Sequence, residues 1–132
     1  ESLLRSSQLD DLGSLRTACV VNLRVSKMGG VLRSLELLQA LRERGIPVIV
    51  GAHVGESSVL TRAALTVAAA AGEHVLAQEG AFGTHLLQHD VADPPLMFGP
   101  GGVLSVASAG LEGSGWGLHI VQEGLVGNDE PD

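Results

Sequence analysis

The middle of the chain alternates between short apolar runs and stretches with helical periodicity, and this alternation limits the fold more than any other feature. Three runs rich in β-branched and aliphatic residues predict buried strands. They lie at residues 17–25, 46–50 and 74–78. Between them, residues 31–44 have the spacing of a helix that ends at Gly45, and a second helix, capped by Ser57 or Ser58, runs to about Ala71 and ends at Gly72. Short loops between alternating strands and helices predict right-handed crossovers and a parallel sheet.

The two helices differ in their predicted burial. In the first, five aliphatic residues fall on one face of the helical wheel, which we expect to cover the sheet. These residues are Val31, Leu32, Leu35, Leu38 and Leu41. The second helix is apolar nearly all round, with Arg62 as its only charge, so we expect neighbours on several of its sides.

Composition excludes several classes of partner. A net charge of −7 leaves no basic surface for nucleic acid or for an anionic membrane. The apolar runs are too short to span a membrane and no signal peptide is evident, so we expect a cytoplasmic protein. The single cysteine, Cys19, rules out an internal disulfide framework. A nucleotide-binding half domain is disfavoured because the phosphate-loop and dinucleotide fingerprints are absent.

The loops that follow the predicted strands hold the unusual polar residues of the chain's centre. Function in parallel α/β folds lies at the carboxyl ends of strands, which selects residues 24–30, 51–56 and 79–83. In the first loop, Arg24 stays charged and can bind an anion. Lys27 could act as a base only after burial has neutralised its ammonium group. A surface pair bonded to helix carboxylates explains these two residues equally well.

The second and third loops supply one histidine and two carboxyl groups. His53 suits a proton shuttle near neutral pH, although a capping or core histidine is the more common interpretation. Glu56 directly precedes a helix, where a carboxylate interacts favourably with the helix dipole. Glu79 follows an apolar strand and, when protonated, could donate a hydrogen bond. An ion pair with Arg24 or Lys27 accounts for Glu79 equally well.

Metal ligands are not evident in the spacing of the histidines. His85 and His89 are four residues apart, which a helix could bring to one face. Because no Glu lies between them and no further ligand spacing is present, we do not expect a zinc site.

Several short segments follow one another along the chain in an order and at a spacing that together indicate a family. Residues 21–30 read VNLRVSKMGG. Gly-Ile-Pro follows at residues 45–47, and residues 51–58 then read GAHVGESS. Glu79-Gly80 follows, then GSGWGL at residues 113–118, while the chain opens on Glu1-Ser2. In order and spacing these segments resemble the sixth, seventh and eighth strand ends and the carboxyl-terminal return of one family. That family is the mandelate racemase and muconate cycloisomerase branch of the enolase superfamily.

The resemblance implies a fold and a cofactor. The fold is α/β, the last part of a modified (β/α)₈ barrel with about three to four parallel strands at residues 1–98. Residues 99–132 then form a Gly-rich return segment with an acidic tail. In the family, Mg²⁺ held by three carboxylates stabilises an enediolate made by removing the proton next to a substrate carboxylate. The third ligand is expected just before Glu1, so we expect Mg²⁺ in the parent protein and no metal ligand in this chain.

The resemblance also implies roles for residues. His53 matches the histidine of a His–Asp dyad, Glu79 matches the acidic group that hydrogen-bonds the enediolate, and Lys27 matches the second lysine of the sixth-strand pattern. These three are the predicted catalytic residues. Arg24 and Glu56 are predicted to bind substrate. Because Arg24 stands where relatives place Lys or Asp, a two-base racemisation is disfavoured.

The function implied for the parent protein is a one-base elimination. A lysine of the second strand would take the proton and His53 would protonate the leaving hydroxyl, which fits a sugar-acid dehydratase. A cycloisomerase or racemase of the same superfamily is an alternative, and so is an inert stand-alone α/β module. For the chain alone we expect little or no activity. The expected partners are a small carboxylate substrate and further copies of the parent protein, with neither nucleic acid nor membrane.

Overall fold

A parallel sheet of three strands forms the centre of the fold. The computed structural model describes residues 6–105 and 115–121. Within them the strands are β1 (Val21–Arg24), β2 (Val48–Gly51) and β3 (Val75–Gln78), in the order β1-β2-β3. This arrangement confirms the predicted α/β class, because each strand pairs in parallel with the next one along the chain.

Helical segments connect and flank these strands. The α-helices are α1 (Val25–Met28), α2 (Val31–Glu43), α3 (Ser58–Ala71) and α4 (Gly83–Leu86). Three 3₁₀ segments lie at Ser6–Thr17, Gly72–His74 and Pro100–Gly102. The long helices α2 and α3 pack against each other, and α3 also packs against β2 and β3.

The strands are shorter than the apolar runs that predict them. The first run was expected to be extended through Val25, but β1 ends at Arg24 and Val25–Met28 turns into α1. Gly29 then adopts φ 80 and closes this single turn, because a left-handed residue cannot continue a helix. The third run is not a buried strand on both faces, since Leu76 is 61% exposed. A strand at the edge of a sheet is covered less completely than the central strand.

The buried face of α2 differs from the predicted one. Ser34, Leu37, Leu38 and Leu41 form the buried stripe at helical spacing. Leu32, which was predicted to belong to this face, is 78% exposed. It lies on the opposite side of the helix from the stripe, so the prediction was wrong for this residue.

Helix α3 is apolar nearly all round and is buried over more than half of its circumference. Thr61, Ala64 and Val67 face the interior, whereas Val59 is 39% exposed. Helix α3 contacts α1, α2, β2 and β3, which agrees with the expectation of neighbours on several sides. Much of the apolar character of α3 comes from alanine, which helices tolerate equally well at solvent-facing positions.

The segment at residues 115–121 returns to the body of the domain. The Arg62 Nε on α3 donates to the Trp116 carbonyl oxygen at 2.9 Å. The Asp93 amide donates to the His119 carbonyl at 3.0 Å, and an antiparallel bridge pairs Ala92 with Ile120. The rest of the Gly-rich motif and the acidic tail lie outside the described residues. Across the described ranges, no helix is both long and apolar enough to cross a membrane.

Candidate functional site

The carboxyl ends of the three strands meet at one edge of the sheet, where they border a cleft of about 570 Å³. Its polar side chains are Arg24, Gln78, Glu79 and His85. Apolar side chains and the glycine-rich turn at residues 99–102 complete its wall. Two of the predicted site residues, Arg24 and Glu79, are thus brought to one cleft by strands that are not adjacent.

Both carboxylate oxygens of Glu79 accept hydrogen bonds from the protein. The Asn22 Nδ2 donates to Oε1 at 2.9 Å, and the Ala52 backbone N–H donates to Oε2 at 3.2 Å. Asn22 was missed by the sequence analysis. Its signal was the alternation of β1, where Val21 and Leu23 are buried and Asn22 points to the other face.

Gly51 gives this hydrogen-bonded group its space. A Cβ built on Gly51 would collide with the Asn22 Oδ1 and stand 2.9 Å from the Glu79 Oε2. The φ of Gly51 is not in the left-handed region, so the backbone itself does not require glycine. The close approach of two side chains from the flanking strands is what requires it.

Glu56 connects the first two loops. The Ser26 Oγ on α1 donates to the Glu56 Oε1 at 2.8 Å. Sequence reasoning placed Glu56 at the amino-terminal end of α3, but the Ser58 backbone N–H there donates to Asp90, at 3.0 and 3.3 Å to its two oxygens. Asp90 lies 32 residues further along the chain, so no local pattern identifies it.

Lys27 lies away from Glu79. It is half-buried in the last turn of α1 and borders a second depression of about 480 Å³, beside β1. Arg24 and Asn22 line this depression as well, so Arg24 stands between the two cavities. Arg24 therefore borders the cavities of both Lys27 and Glu79, whereas Lys27 is separated from the Glu79 cleft.

His53 lies in the loop directly after β2 and is half-buried. Its carbonyl oxygen accepts a hydrogen bond from the Glu56 amide at 3.3 Å. Its ring has no hydrogen-bond partner among the described residues, and it is the neighbouring Val54 that lines the Glu79 cleft. The capping role considered for His53 is therefore not seen in this part of the chain.

Comparison with known families decides what kind of domain this is. A family model described as enolase C-terminal domain-like matches residues 1–124. The chain belongs to this family. The match confirms the resemblance to the mandelate racemase and muconate cycloisomerase branch, and the parallel sheet agrees with the carboxyl-terminal part of a (β/α)₈ barrel. Searches of curated proteins and of solved structures find no significant match.

Membership of the enolase C-terminal domain-like family raises the question of a metal. Among the described residues, no group of three His, Cys, Asp or Glu side chains could hold a metal ion. Glu79 already accepts two hydrogen bonds, and Glu56 accepts one from Ser26. The described residues therefore do not fit a Mg²⁺ site. Glu1, next to the predicted third ligand, lies outside them.

Proposed function

We propose that this domain is part of a Mg²⁺-dependent enzyme of the enolase superfamily that eliminates water from a sugar acid. Removal of the proton next to the substrate carboxylate would give an enediolate, and loss of the β-hydroxyl as water would give an enol that becomes a keto acid. The single observation that carries the proposal is the Glu79 carboxyl, held by Asn22 and by the Ala52 amide beside Arg24. Mg²⁺ would be held by carboxylates outside the described residues.

Each of the cleft residues has a proposed task. Arg24 binds a carboxylate or hydroxyl of the substrate, because a guanidinium is always charged and is a poor base. Glu79 in its protonated form donates a hydrogen bond to the forming enediolate, a contribution on the order of 3 kcal/mol. His53 gives its proton to the leaving hydroxyl. Lys27 and Glu56 stay predictions, since Lys27 borders the other depression and Glu56 is bonded to Ser26.

The apolar wall of the cleft supports a second candidate. Val54, Phe82 and Phe98 line it, and the Phe82 side chain is 63% exposed. A substrate with a hydrocarbon part would cover such surface and gain stabilisation from its burial. This observation favours a cycloisomerase of the same superfamily over a polyhydroxylated substrate.

The test is a substrate panel on the full-length enzyme, followed by ¹H NMR in D₂O with added Mg²⁺. We expect gluconate or galactarate to lose water and give a keto acid with solvent deuterium at C3. Conversion of a muconolactone, with the sugar acids untouched, would establish the cycloisomerase instead. If no acid in the panel loses or exchanges its α-proton, the enzyme proposal fails and an inert module becomes the better explanation.

The role of His53 gives a direct prediction. We expect His53→Asn in the full-length enzyme to lower kcat by about 100-fold or more, because general acid catalysis typically contributes this much. KM should change little, because proton transfer from His53 to the leaving hydroxyl acts in the transition state rather than in substrate binding. His89→Asn, at an exposed histidine of a distant loop, is the matched control. Unchanged kcat in His53→Asn would remove His53 from the mechanism.

A further inference from the structure

We propose that Asn22 is a positioning residue that fixes the carboxyl group of Glu79 for reaction, and that Gly51 is the spacer that lets it do so. The inference rests on the proposed function of Glu79 and deepens it. Both residues lie inside the motif segments at residues 21–30 and 51–58, but the resemblance implies no role for either of them. The evidence is the hydrogen bond from Asn22 to Glu79 and the space above Gly51, through which the two side chains reach each other over the central strand.

The hydrogen bond joins two strands that are not neighbours. Asn22 lies on β1, Glu79 directly follows β3, and β2 runs between them. Adjacent strands are spaced by about 4.8 Å, so these two backbones are about 10 Å apart. The Asn22 amide nonetheless reaches the Glu79 Oε1 at 2.9 Å. Both side chains must therefore extend over the central strand towards each other.

The gap over β2 is the space left by the missing side chain of Gly51. A Cβ there would meet the Asn22 Oδ1 at collision distance and the Glu79 Oε2 at 2.9 Å. The next residue, Ala52, then turns its backbone N–H onto the second carboxylate oxygen at 3.2 Å. Strand β1 thus contributes a side chain to this carboxyl group, and β2 contributes both the gap at Gly51 and the backbone donor that follows it.

Two donors on two different oxygens fix the plane of the carboxyl group. An sp² oxygen accepts in two lone-pair directions, so each Glu79 oxygen keeps one direction for a further partner. Arg24 lies at the same cleft and can hold the substrate anion. Catalytic groups must stay close to their productive geometry, and a displacement of about 1 Å can cost on the order of 100-fold in rate. Loss of the Asn22 donor would free Glu79 to rotate.

The kinetic test is a double-mutant cycle in the full-length enzyme, measured as the dehydration of gluconate to its keto acid in D₂O. We expect Asn22→Ala to lower kcat by about 10- to 100-fold with KM changed by less than about 3-fold. Asn22→Leu, which keeps a similar shape but removes the donor without adding charge, should behave alike and serves if Asn22→Ala does not fold. Glu79→Gln should lower kcat at least as much, and the double variant no further.

Gln39→Ala is the matched control. The Gln39 Nε2 donates to the Glu43 Oε1 at 3.1 Å on the exposed face of α2, so the variant removes the same kind of hydrogen bond away from the cleft. Its kcat should equal that of the wild type. If Asn22→Ala also matches the wild type while Glu79→Gln is impaired, the positioning role is overturned and the proposed function stands. If Glu79→Gln is fully active, both fail.

A second measurement needs no substrate. Selective ¹⁵N-asparagine labelling of the full-length enzyme gives side-chain amide signals, and the signal that is lost in Asn22→Ala belongs to Asn22. We expect this signal to shift in Glu79→Gln and to stay in place in Gln39→Ala. An Asn22 amide signal that does not respond to Glu79→Gln would overturn the inference whatever the enzyme's activity.

Discussion

At the scale of single residues, the site depends on a glycine, Gly51, whose lack of a side chain leaves room for two others. Gly51 lies where the side chains of Asn22 and Glu79 converge, and it is buried beneath them. Its backbone conformation is open to any residue, so the requirement for glycine is one of space alone. A glycine inside a strand commonly marks such a close approach.

This requirement predicts the effect of the smallest substitution. We expect Gly51→Ala to lower the free energy of unfolding by about 1 kcal/mol, because the methyl group displaces the Asn22 and Glu79 side chains and breaks their hydrogen bond. Urea unfolding followed by circular dichroism measures the change. The matched control is Gly99→Ala, whose Cβ would meet the Val103 carbonyl oxygen at 3.6 Å, an ordinary contact. Equal stability of the two variants would contradict the steric explanation.

The sequence identifies some of these residues and not others, for physical reasons. Arg24 and Glu79 could be predicted because each ends or follows an apolar run, and parallel strands end at one edge. Asn22 could not be predicted, because a single polar residue in an apolar run does not indicate which residue of a non-adjacent strand it will bond to. Asp90 could not either, because the amide that it accepts from belongs to Ser58, far away in the sequence.

At the scale of elements, periodicity predicts the helices well and their buried faces less well. Helix α3 ends at Ala71, directly before the predicted stop at Gly72, and α2 ends within one residue of its predicted end. The face of α2 was misassigned at Leu32 because its first turn carries aliphatic residues on both sides. The packing of α2 against α3 and α1 decides which side of the helix is covered, and a helical wheel drawn from the sequence holds no information on that packing.

The same Leu→Ala substitution at two positions of α2 should therefore change the stability of the domain by very different amounts. Leu37 is 1% exposed and Leu32 is 78% exposed on the same helix. We expect Leu37→Ala to cost about 2–5 kcal/mol of unfolding free energy, because it removes buried methyl groups and leaves a cavity. Leu32→Ala should be close to neutral, since its side chain already contacts water. Thermal denaturation compares the two variants, and a larger loss for Leu32→Ala would contradict the observed face.

At the scale of the whole molecule, the sheet has two open sides. Within the described residues β1 and β3 each pair with β2 alone, so their outer edges carry backbone groups without a strand partner. On β3 the Leu76 side chain is also 61% exposed. Open edges with apolar side chains are templates for pairing with another chain.

We therefore expect the 132-residue chain, prepared by itself, to self-associate as its concentration rises. Leu76→Lys should suppress this association, because a charged side chain on an edge strand opposes pairing. Leu32→Lys is the control, since Leu32 is 78% exposed but lies on a helix rather than a strand. Sedimentation velocity over a range of concentrations measures the effect. A chain that stays monomeric throughout would show that these edges do not drive assembly.

The alternation of elements was sufficient to predict the architecture, but not how the strands align. The register shifts between Val48 and Ile49 on β2, and this irregularity helps decide which residue after β3 comes level with Gly51. A shift of one residue moves a side chain to the other face of a sheet. The sequence contains no separate signal for it, so the meeting of Asn22 and Glu79 becomes visible only in three dimensions.

The two donors that hold Glu79 differ in how far they can vary during evolution. The bond from Ala52 is made by the main chain, so every amino acid except proline can supply it at that position. The bond from Asn22 is made by a side chain that fits only above glycine, so positions 22 and 51 are tied to each other. Among homologues that keep an acid at position 79, residue 52 should drift freely, whereas 22 and 51 should change together or not at all.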